Sequence, residues 1–154
     1  VMNKITTLVF VRRGDEILLG MKKRGFGEGR WNGFGGKIEP GETPLKGAKR
    51  ELVEESGLVG ESFEEIAHIF FDFETTPDTT DCTVYFCDAY SGDPVETEEM
   101  RPQWFKANDL PYKQMWTDDK HWLPLVLQGR KLEAIFHFKD FIELGEYTIT
   151  ERSD

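Results

Sequence analysis

GKIEPGETPLKGAKRELVEESGL, residues 36–58, joins a glycine-rich turn to a segment that has the end signals of a helix. Thr43 is a good N-cap, and Pro44 suits the first helical position, where its missing N–H is not needed. Gly57 can adopt the left-handed conformation that closes a helix. The sequence therefore predicts a helix from Pro44 to Ser56.

The predicted helix has an apolar face and an acidic face. At about 100° per residue, three residues form the apolar stripe: Leu45, Ala48 and Leu52. Three glutamates, spaced three and four apart, share the neighbouring face: Glu51, Glu54 and Glu55. Like charges at this spacing repel one another, so a bound divalent cation would stabilise the arrangement, whereas a solvated acidic face is the alternative interpretation. Oxygen ligands without His or Cys favour Mg²⁺ or Mn²⁺ over Zn²⁺.

This stretch resembles the Nudix box, the family pattern G-x5-E-x7-R-E-U-x-E-E-x-G-U in which U is aliphatic. The fixed positions are filled, in order, by Gly36, Glu42, Arg50, Glu51, Leu52, Glu54, Glu55, Gly57 and Leu58. The resemblance implies an α+β protein with an α/β/α sandwich around a mixed sheet and two main helices. It also implies Mg²⁺-dependent hydrolysis of a nucleoside diphosphate linked to another group.

By the same resemblance, a set of oxygen donors would hold Mg²⁺: Glu51, Glu54, Glu55 and the carbonyl of Gly36. Glu99 precedes a predicted strand and is a further candidate ligand, from another loop. The three helical glutamates would be the catalytic residues, and either Glu54 or Glu55 would orient or deprotonate the attacking water. We expect Glu42 to support Arg50, which lies four residues before Glu54. The alternative for Glu99 is a surface charge in an acidic run.

Composition limits the class of protein. A chain of 154 residues with 38% hydrophobic content is expected to form a single domain over residues 1–154. Its net charge of −10 argues against a protein that binds nucleic-acid polymers through a basic surface. No apolar run approaches the roughly 18 residues of a membrane span, and the start lacks a signal peptide. We therefore expect a cytoplasmic monomer, with the mitochondrial matrix or nucleus left open.

Alternating apolar residues predict about seven strands, among them residues 5–11, 16–21, 66–74, 82–90, 100–106, 132–138 and 146–150. Residues 25–41, rich in glycine, are predicted as a loop, and residues 75–81 as a turn. A second helix is expected to start at Asp118 and Asp119 and to stop at Gly129. Cys82 and Cys87 would point to opposite faces of one strand, so they are expected to stay reduced.

Several segments outside the box look like the MutT-type members of the family: KKRGFG at 22–27, RWNGFGGK at 30–37, EMRP at 99–102, MW at 115–116 and DD at 118–119. This likeness covers nearly the whole chain. It implies hydrolysis of 8-oxo-dGTP, 2-hydroxy-dATP and related modified purines such as O6-methyl-dGTP to the monophosphate and pyrophosphate. Such an activity sanitises the nucleotide pool and prevents mutation.

The residues that this likeness places around the nucleotide suit a purine. They are Thr7, Lys22, Phe26, Asn32, Phe71, Phe73, Trp116, Asp118 and Asp119. Aromatic rings can stack on the faces of the base, and the amide and carboxyl groups can bond its edge. Two adjacent carboxyls near one base should raise one pKa, and the shared proton would let the pocket bind both guanine-like and adenine-like edges.

Two other functions stay open from the sequence. One is a Nudix hydrolase that acts on another nucleoside diphosphate derivative, such as a nucleotide sugar, a dinucleoside polyphosphate or a capped RNA, although such enzymes usually have a basic or extended groove that this acidic chain does not indicate. Thr79-Thr80-Asp81 stands where mammalian relatives carry a pocket methionine, so the resemblance fixes the class of base and leaves the preference among oxidised purines open. The other is a non-catalytic module that binds a nucleotide. The intact glutamates argue against that module, because simple binding does not require a repulsive acidic cluster.

Overall fold

Residues 1–153, the part of the chain that the computed structural model describes, form eleven strands and two α-helices. The strands are β1 (Asn3–Arg13), β2 (Glu16–Lys22), β3 (Trp31–Asn32), β4 (Phe34–Lys37), β5 (Val59–Gly60), β6 (Glu64–Phe73), β7 (Thr76–Cys87), β8 (Tyr90–Ser91), β9 (Met100–Lys106), β10 (Leu132–Phe138) and β11 (Leu144–Glu151). The helices are α1 (Pro44–Ser56) and α2 (Asp119–Leu127), and one turn of 3₁₀ helix spans Tyr112–Gln114.

Nine strands form one mixed sheet in the order β11-β10-β6-β7-β1-β2-β3, with β4 added beside β1 and β9 beside β2. The pairs β1·β7 and β10·β6 are parallel, and the other pairs are antiparallel. The remaining two strands, β5 and β8, pair separately. The expected mixed sheet is confirmed.

A hydrophobic core lies on each face of the sheet. Successive residues of β1 alternate between the two cores, so that Phe10 belongs to one and Val9 to the other. Helix α2 contributes Trp122, Leu123 and Val126 to the first core. Helix α1 contributes Ala48 and Leu52 to the second. The central strand is thus buried on both sides, which gives the expected α/β/α layers.

The ends of α1 follow the sequence signals. The Thr43 hydroxyl accepts a hydrogen bond from the Lys46 amide at 3.2 Å, and Gly57 closes the helix at φ 78°. The prediction that Leu45 packs in the apolar stripe is wrong, because its side chain is 38% exposed. The buried residues of α1 begin at Gly47, so the first turn of the helix projects beyond the core.

Three local predictions need correction. Most of the predicted turn at 75–81 is the first half of β7, since this segment pairs with β1 on one side and β6 on the other. The predicted loop at 25–41 contains two short strands, β3 and β4, which bond to β2 and β1. The strand count therefore exceeds the seven expected. Pairing with distant strands, which local composition does not reveal, fixes these segments.

Other predictions hold. The strands β1, β2, β9 and β10 lie where the sequence placed them. Cys82 and Cys87 are buried in the two opposite cores and are both free. In the described residues, neither helix has the length and apolarity needed to span a bilayer.

Candidate active site

Arg50 forms hydrogen bonds with three glutamates of the predicted metal site and its neighbourhood. Its Nε and Nη2 donate hydrogen bonds to the two oxygens of Glu42 at 2.7 and 2.9 Å. Its Nη1 donates to Glu51 at 2.9 Å and to Glu54 at 3.1 Å. The bidentate pair lowers the pKa of Glu42 to about 2, with help from the Glu39 amide. The structure confirms that Glu42 supports Arg50 and that Arg50 bonds Glu54.

Glu55 lies on the other side of this cluster and faces the interior. Its Oε1 accepts a hydrogen bond from the Gly35 amide at 2.9 Å. Burial, with smaller contributions from the charges of Glu51 and Glu99, raises the pKa of Glu55 to about 7 against that bond. A side chain at position 35 would collide with the carbonyl of Thr7, so only glycine lets β4 approach β1 this closely.

Glu51 is half-buried against β4. Burial raises its pKa although the Arg50 guanidinium opposes the shift. A Cβ placed on Gly36 would lie 3.1 Å from Glu51 Oε1, which is closer than most Cβ contacts. The glycine therefore leaves the carboxylate room beside the backbone of Gly36.

Glu99 enters the site from the loop before β9. Its Oε1 accepts hydrogen bonds from Arg24 Nη2 and Nε at 2.8 and 3.0 Å, and Lys22 Nζ lies 3.6 Å from its other oxygen. These bonds, led by the one from Arg24, lower the pKa of Glu99. Lys22 also lines the cavity described below.

The acidic residues fit a hard divalent cation by their chemistry. Within residues 1–153, no three or more His, Cys, Asp or Glu side chains already surround a common metal position. The carboxylates instead bond to Arg50, to Arg24 and to the Gly35 amide. The donors are all oxygens, and burial raises the pKa of Glu51 and Glu55, so that the ionised forms of both would gain from a nearby positive charge. A divalent cation would supply it.

A cavity of about 380 Å³ opens beside Glu55 and runs between the sheet and α2. Two buried carboxyl groups, Asp118 and Asp119, lie along it, with exposed fractions of 5% and 2%. Asp118 Oδ2 accepts a hydrogen bond from the Trp122 indole at 2.8 Å. In the described chain, Asp119 Oδ2 and Thr7 Oγ1 are buried without any hydrogen-bond partner. These atoms are therefore ready to bond a ligand.

Burial also sets the charge of the two aspartates. It raises the pKa of Asp118 against the bond from Trp122. It raises the pKa of Asp119 well above its usual range, and the neighbouring charge of Asp118 adds to this shift. The pair is thus disposed to keep a proton, as the sequence hypothesis requires.

Aromatic side chains form the walls. The rings of Phe26 and Trp116 lie 5.1 Å apart on one side, and Phe71 and Phe73 line the other. Asn32 Oδ1 accepts from the Gly33 amide at 2.8 Å, which leaves the side-chain NH₂ available to a ligand in the cavity. All the predicted substrate-binding residues line this one cavity, although their roles in binding stay predictions.

The sequence interpretation missed other residues of the cavity. The guanidinium of Arg30 lies 4.4 Å from the centre of the Trp116 ring. Thr80, Phe138 and Phe141 also line the cavity. The only signal for Thr80 is its register on β7, two residues before Cys82. No local pattern indicates that Phe141 faces the same space as Phe26.

Comparisons with known proteins agree with this geometry. The family described as NUDIX domain matches residues 2–126. The chain is 47% identical over 149 residues to a mouse protein named oxidized purine nucleoside triphosphate hydrolase, covering 97% of this chain and 96% of that protein. It is 45% identical over 152 residues to a Danio rerio protein of the same name, covering 99% and 97%. A MutT protein of Bacillus halodurans superposes with a TM-score of 0.85 at 26% identity, covering 95% and 97% of the two chains.

Proposed function

Because this chain belongs to the Nudix family, we propose that it hydrolyses oxidised purine nucleoside triphosphates to the monophosphate and pyrophosphate. The substrates are 8-oxo-dGTP, 2-hydroxy-dATP and related modified purines, so the reaction sanitises the nucleotide pool. One observation carries the proposal: a cavity with an apolar wall and two buried carboxyls, Asp118 and Asp119, opens directly onto Glu55 of the acidic helix.

The buried end of the cavity suits the edge of a purine. A carboxylate accepts hydrogen bonds and a protonated carboxyl donates one, so Asp118 and Asp119 together can bond both guanine-like and adenine-like edges. Asn32 adds an amide, and Thr7 adds a hydroxyl that has no partner within the described residues. Phe71, Phe73 and Trp116 would pack on the faces of the base.

The open end suits the phosphates. Mg²⁺, or Mn²⁺ in its place, would be held by Glu51, Glu54, Glu55, Glu99 and the Gly36 carbonyl. When bound, the metal neutralises charge on the phosphate oxygens and clamps them for attack in line. Arg50 holds Glu51 and Glu54 in place. Lys22 would contact a phosphate, since its Nζ lies beside the cavity and Glu99.

Glu55 connects the two ends. It lines the cavity, and it is close enough to Glu51 and Glu99 for their charges to raise its pKa. A nucleotide whose base bonds Asp118 and Asp119 would therefore bring its phosphates to this residue. We assign to Glu55 the orientation and deprotonation of the attacking water, with Glu54 as the other candidate for that role.

The test is pyrophosphate release from 8-oxo-dGTP and from dGTP, each with Mg²⁺ and with the metal chelated. The proposal predicts metal-dependent release that favours the oxidised base. Equal rates on both nucleotides would leave a Nudix hydrolase for another nucleoside diphosphate derivative. Absence of release over a broad nucleotide panel, with nucleotide binding retained, would leave a non-catalytic binding module.

We further propose that the enzyme acts as a monomer on free nucleotides in the cytoplasm, the mitochondrial matrix or the nucleus. The net charge of −10 disfavours a nucleic-acid polymer as substrate. Size-exclusion chromatography with light scattering tests the monomer, and a dimer mass would contradict it.

A further inference from the structure

Phe141 links aromatic side chains that line two sides of the cavity. It lies in the loop between β10 and β11, and its ring centre is 4.9 Å from that of Phe73 and 5.5 Å from that of Phe26. Phe26 in turn lies 5.1 Å from Trp116. Phe141 therefore joins the two aromatic walls, and we call Phe26, Phe73 and Phe141 the aromatic collar.

The loop that carries Phe141 is held in place by hydrogen bonds. Asp140 Oδ1 accepts from the amides of Ile142 and Glu143 at 2.8 and 2.6 Å. The Thr117 hydroxyl donates to the Ile142 carbonyl at 2.9 Å. Since Thr117 lies between Trp116 and Asp118, the loop is tied to the segment that carries one wall and one carboxyl of the pocket.

The collar leaves large apolar surfaces in water. Phe26 is 70% exposed and Phe141 is 42% exposed, yet both line the cavity. Exposed rings that meet at the mouth of a concave site are typical of a ligand contact, because a flat ligand removes them from water. Neither ring carries a polar group, so they would contact the face or the apolar rim of the base.

We propose that Phe141 is a base-contacting residue that covers the outer part of a purine whose inner edge bonds Asp118 and Asp119. The proposal rests on the proposed function and deepens it. The ring contacts of Phe141 are to the aromatic wall rather than to the glutamates of α1, so its contribution belongs to substrate binding and leaves the chemical step unchanged. Loss of this contact should therefore raise KM and weaken the affinity for the monophosphate product, because it removes ground-state binding of the base.

The experiment compares Phe141→Ala with Ile142→Ala, a matched control that removes a neighbouring side chain, 60% exposed, that does not line the cavity. The backbone bonds of Ile142 survive this change. For 8-oxo-dGTP, we expect Phe141→Ala to raise KM about two- to tenfold, the range of one aromatic contact, with kcat unchanged. The Kd of 8-oxo-dGMP, measured by calorimetry without turnover, should rise by the same factor. Phe141→Tyr should retain both values.

Inorganic triphosphate, which has no base, separates recognition from structural damage. Its inhibition constant should be equal in the wild type, Phe141→Ala and Ile142→Ala. Unchanged KM and Kd in Phe141→Ala would overturn the inference, as would an equal rise in Ile142→Ala or an equal loss of triphosphate inhibition. If the wild type fails to release pyrophosphate from any nucleotide, the proposed function fails instead, and 8-oxo-dGMP binding still tests the collar.

Discussion

The acidic cluster on α1 and the buried end of the cavity are both built from carboxyl groups, but the carboxyl groups have different surroundings in the two places. On α1, Arg50 bonds Glu42, Glu51 and Glu54 at 2.7 to 3.1 Å. In the cavity, Asp118 and Asp119 face no cation in the described structure, and Asp119 Oδ2 has no partner at all. Arg50 lowers the pKa of Glu42 and opposes the rise at Glu51, whereas burial raises the pKa of both Asp118 and Asp119.

This difference matches the two ends of a nucleotide. Ionised oxygens are needed where a divalent cation must be held against phosphates. A donor and an acceptor side by side are needed where the edge of a base is read. Under the proposed function, the site would divide into a phosphate end built by charge pairing and a base end built by burial, with Glu55, whose pKa is raised to about 7, between them.

The largest effect is expected at Glu55, which lies between the two ends of the site. Glu55→Gln keeps the size of the side chain but removes the base, so we expect kcat for 8-oxo-dGTP to fall about 10²- to 10⁴-fold. Pyrophosphate release measures this change. Glu61→Gln, at an exposed glutamate that does not line the cavity, serves as the control and should keep the wild-type rate. Retention of more than a tenth of the activity in Glu55→Gln would remove Glu55 from the chemical step.

Arg50 tests whether charge pairing builds the phosphate end. Arg50→Gln frees Glu51 and Glu54 from their anchor, so we expect activity to fall about 10- to 100-fold, as for other residues that orient metal ligands. The Mg²⁺ concentration for half-maximal rate should rise as well. Arg12→Gln is a matched control, because Arg12 also bonds a carboxylate through two nitrogens, that of Asp88, at 2.7 Å each. Equal effects of both variants would show general destabilisation.

The smallest expected effect concerns the base end and the stability of the fold. The folded state raises the pKa of Asp119 above its ordinary 3.8, so the native protein holds a proton that the unfolded chain releases. The free energy of unfolding therefore falls as the pH rises from about 4 toward the raised pKa, by at most about 1.4 kcal/mol per pH unit. Asp119→Asn should be more stable than the wild type at pH 8, and this gain should shrink toward pH 5.

Urea unfolding at the two pH values measures this gain. Asp109→Asn, at an exposed aspartate, provides the control and should show no such gain. A gain for Asp119→Asn that grows in acid, or is absent at pH 8, would mean that Asp119 is already ionised and compensated in the native protein.

The two ends also differ in how far the sequence predicts them. Thr43, Pro44 and Gly57 mark the limits of α1, and the spacing of the glutamates places them on one face, because both signals depend on neighbours in the chain. Arg50 follows from the same local geometry. Leu45 is the exception, since how far a core extends along a helix depends on the other layer.

The base end depends on contacts between distant segments. Thr80 reaches the cavity because β7 pairs in parallel with β1. Its segment looks like a turn, and only the partner strand makes it a strand. Phe141 meets Phe26 across more than a hundred residues of chain. The family resemblance predicted most of the residues that line the pocket. Only the folded chain shows that Asp118 and Asp119 are buried and that the aromatic collar forms.

The most direct test of this division is the affinity for 8-oxo-dGMP without metal, measured by calorimetry for the wild type, Glu55→Gln and Asp119→Ala. The monophosphate keeps the base and lacks the phosphates that reach α1. We predict that Glu55→Gln binds it as the wild type does, and that Asp119→Ala binds it about tenfold or more weakly, as for a lost buried hydrogen bond. Equal weakening in both variants, or none in Asp119→Ala, would contradict a base end that works independently of the acidic cluster.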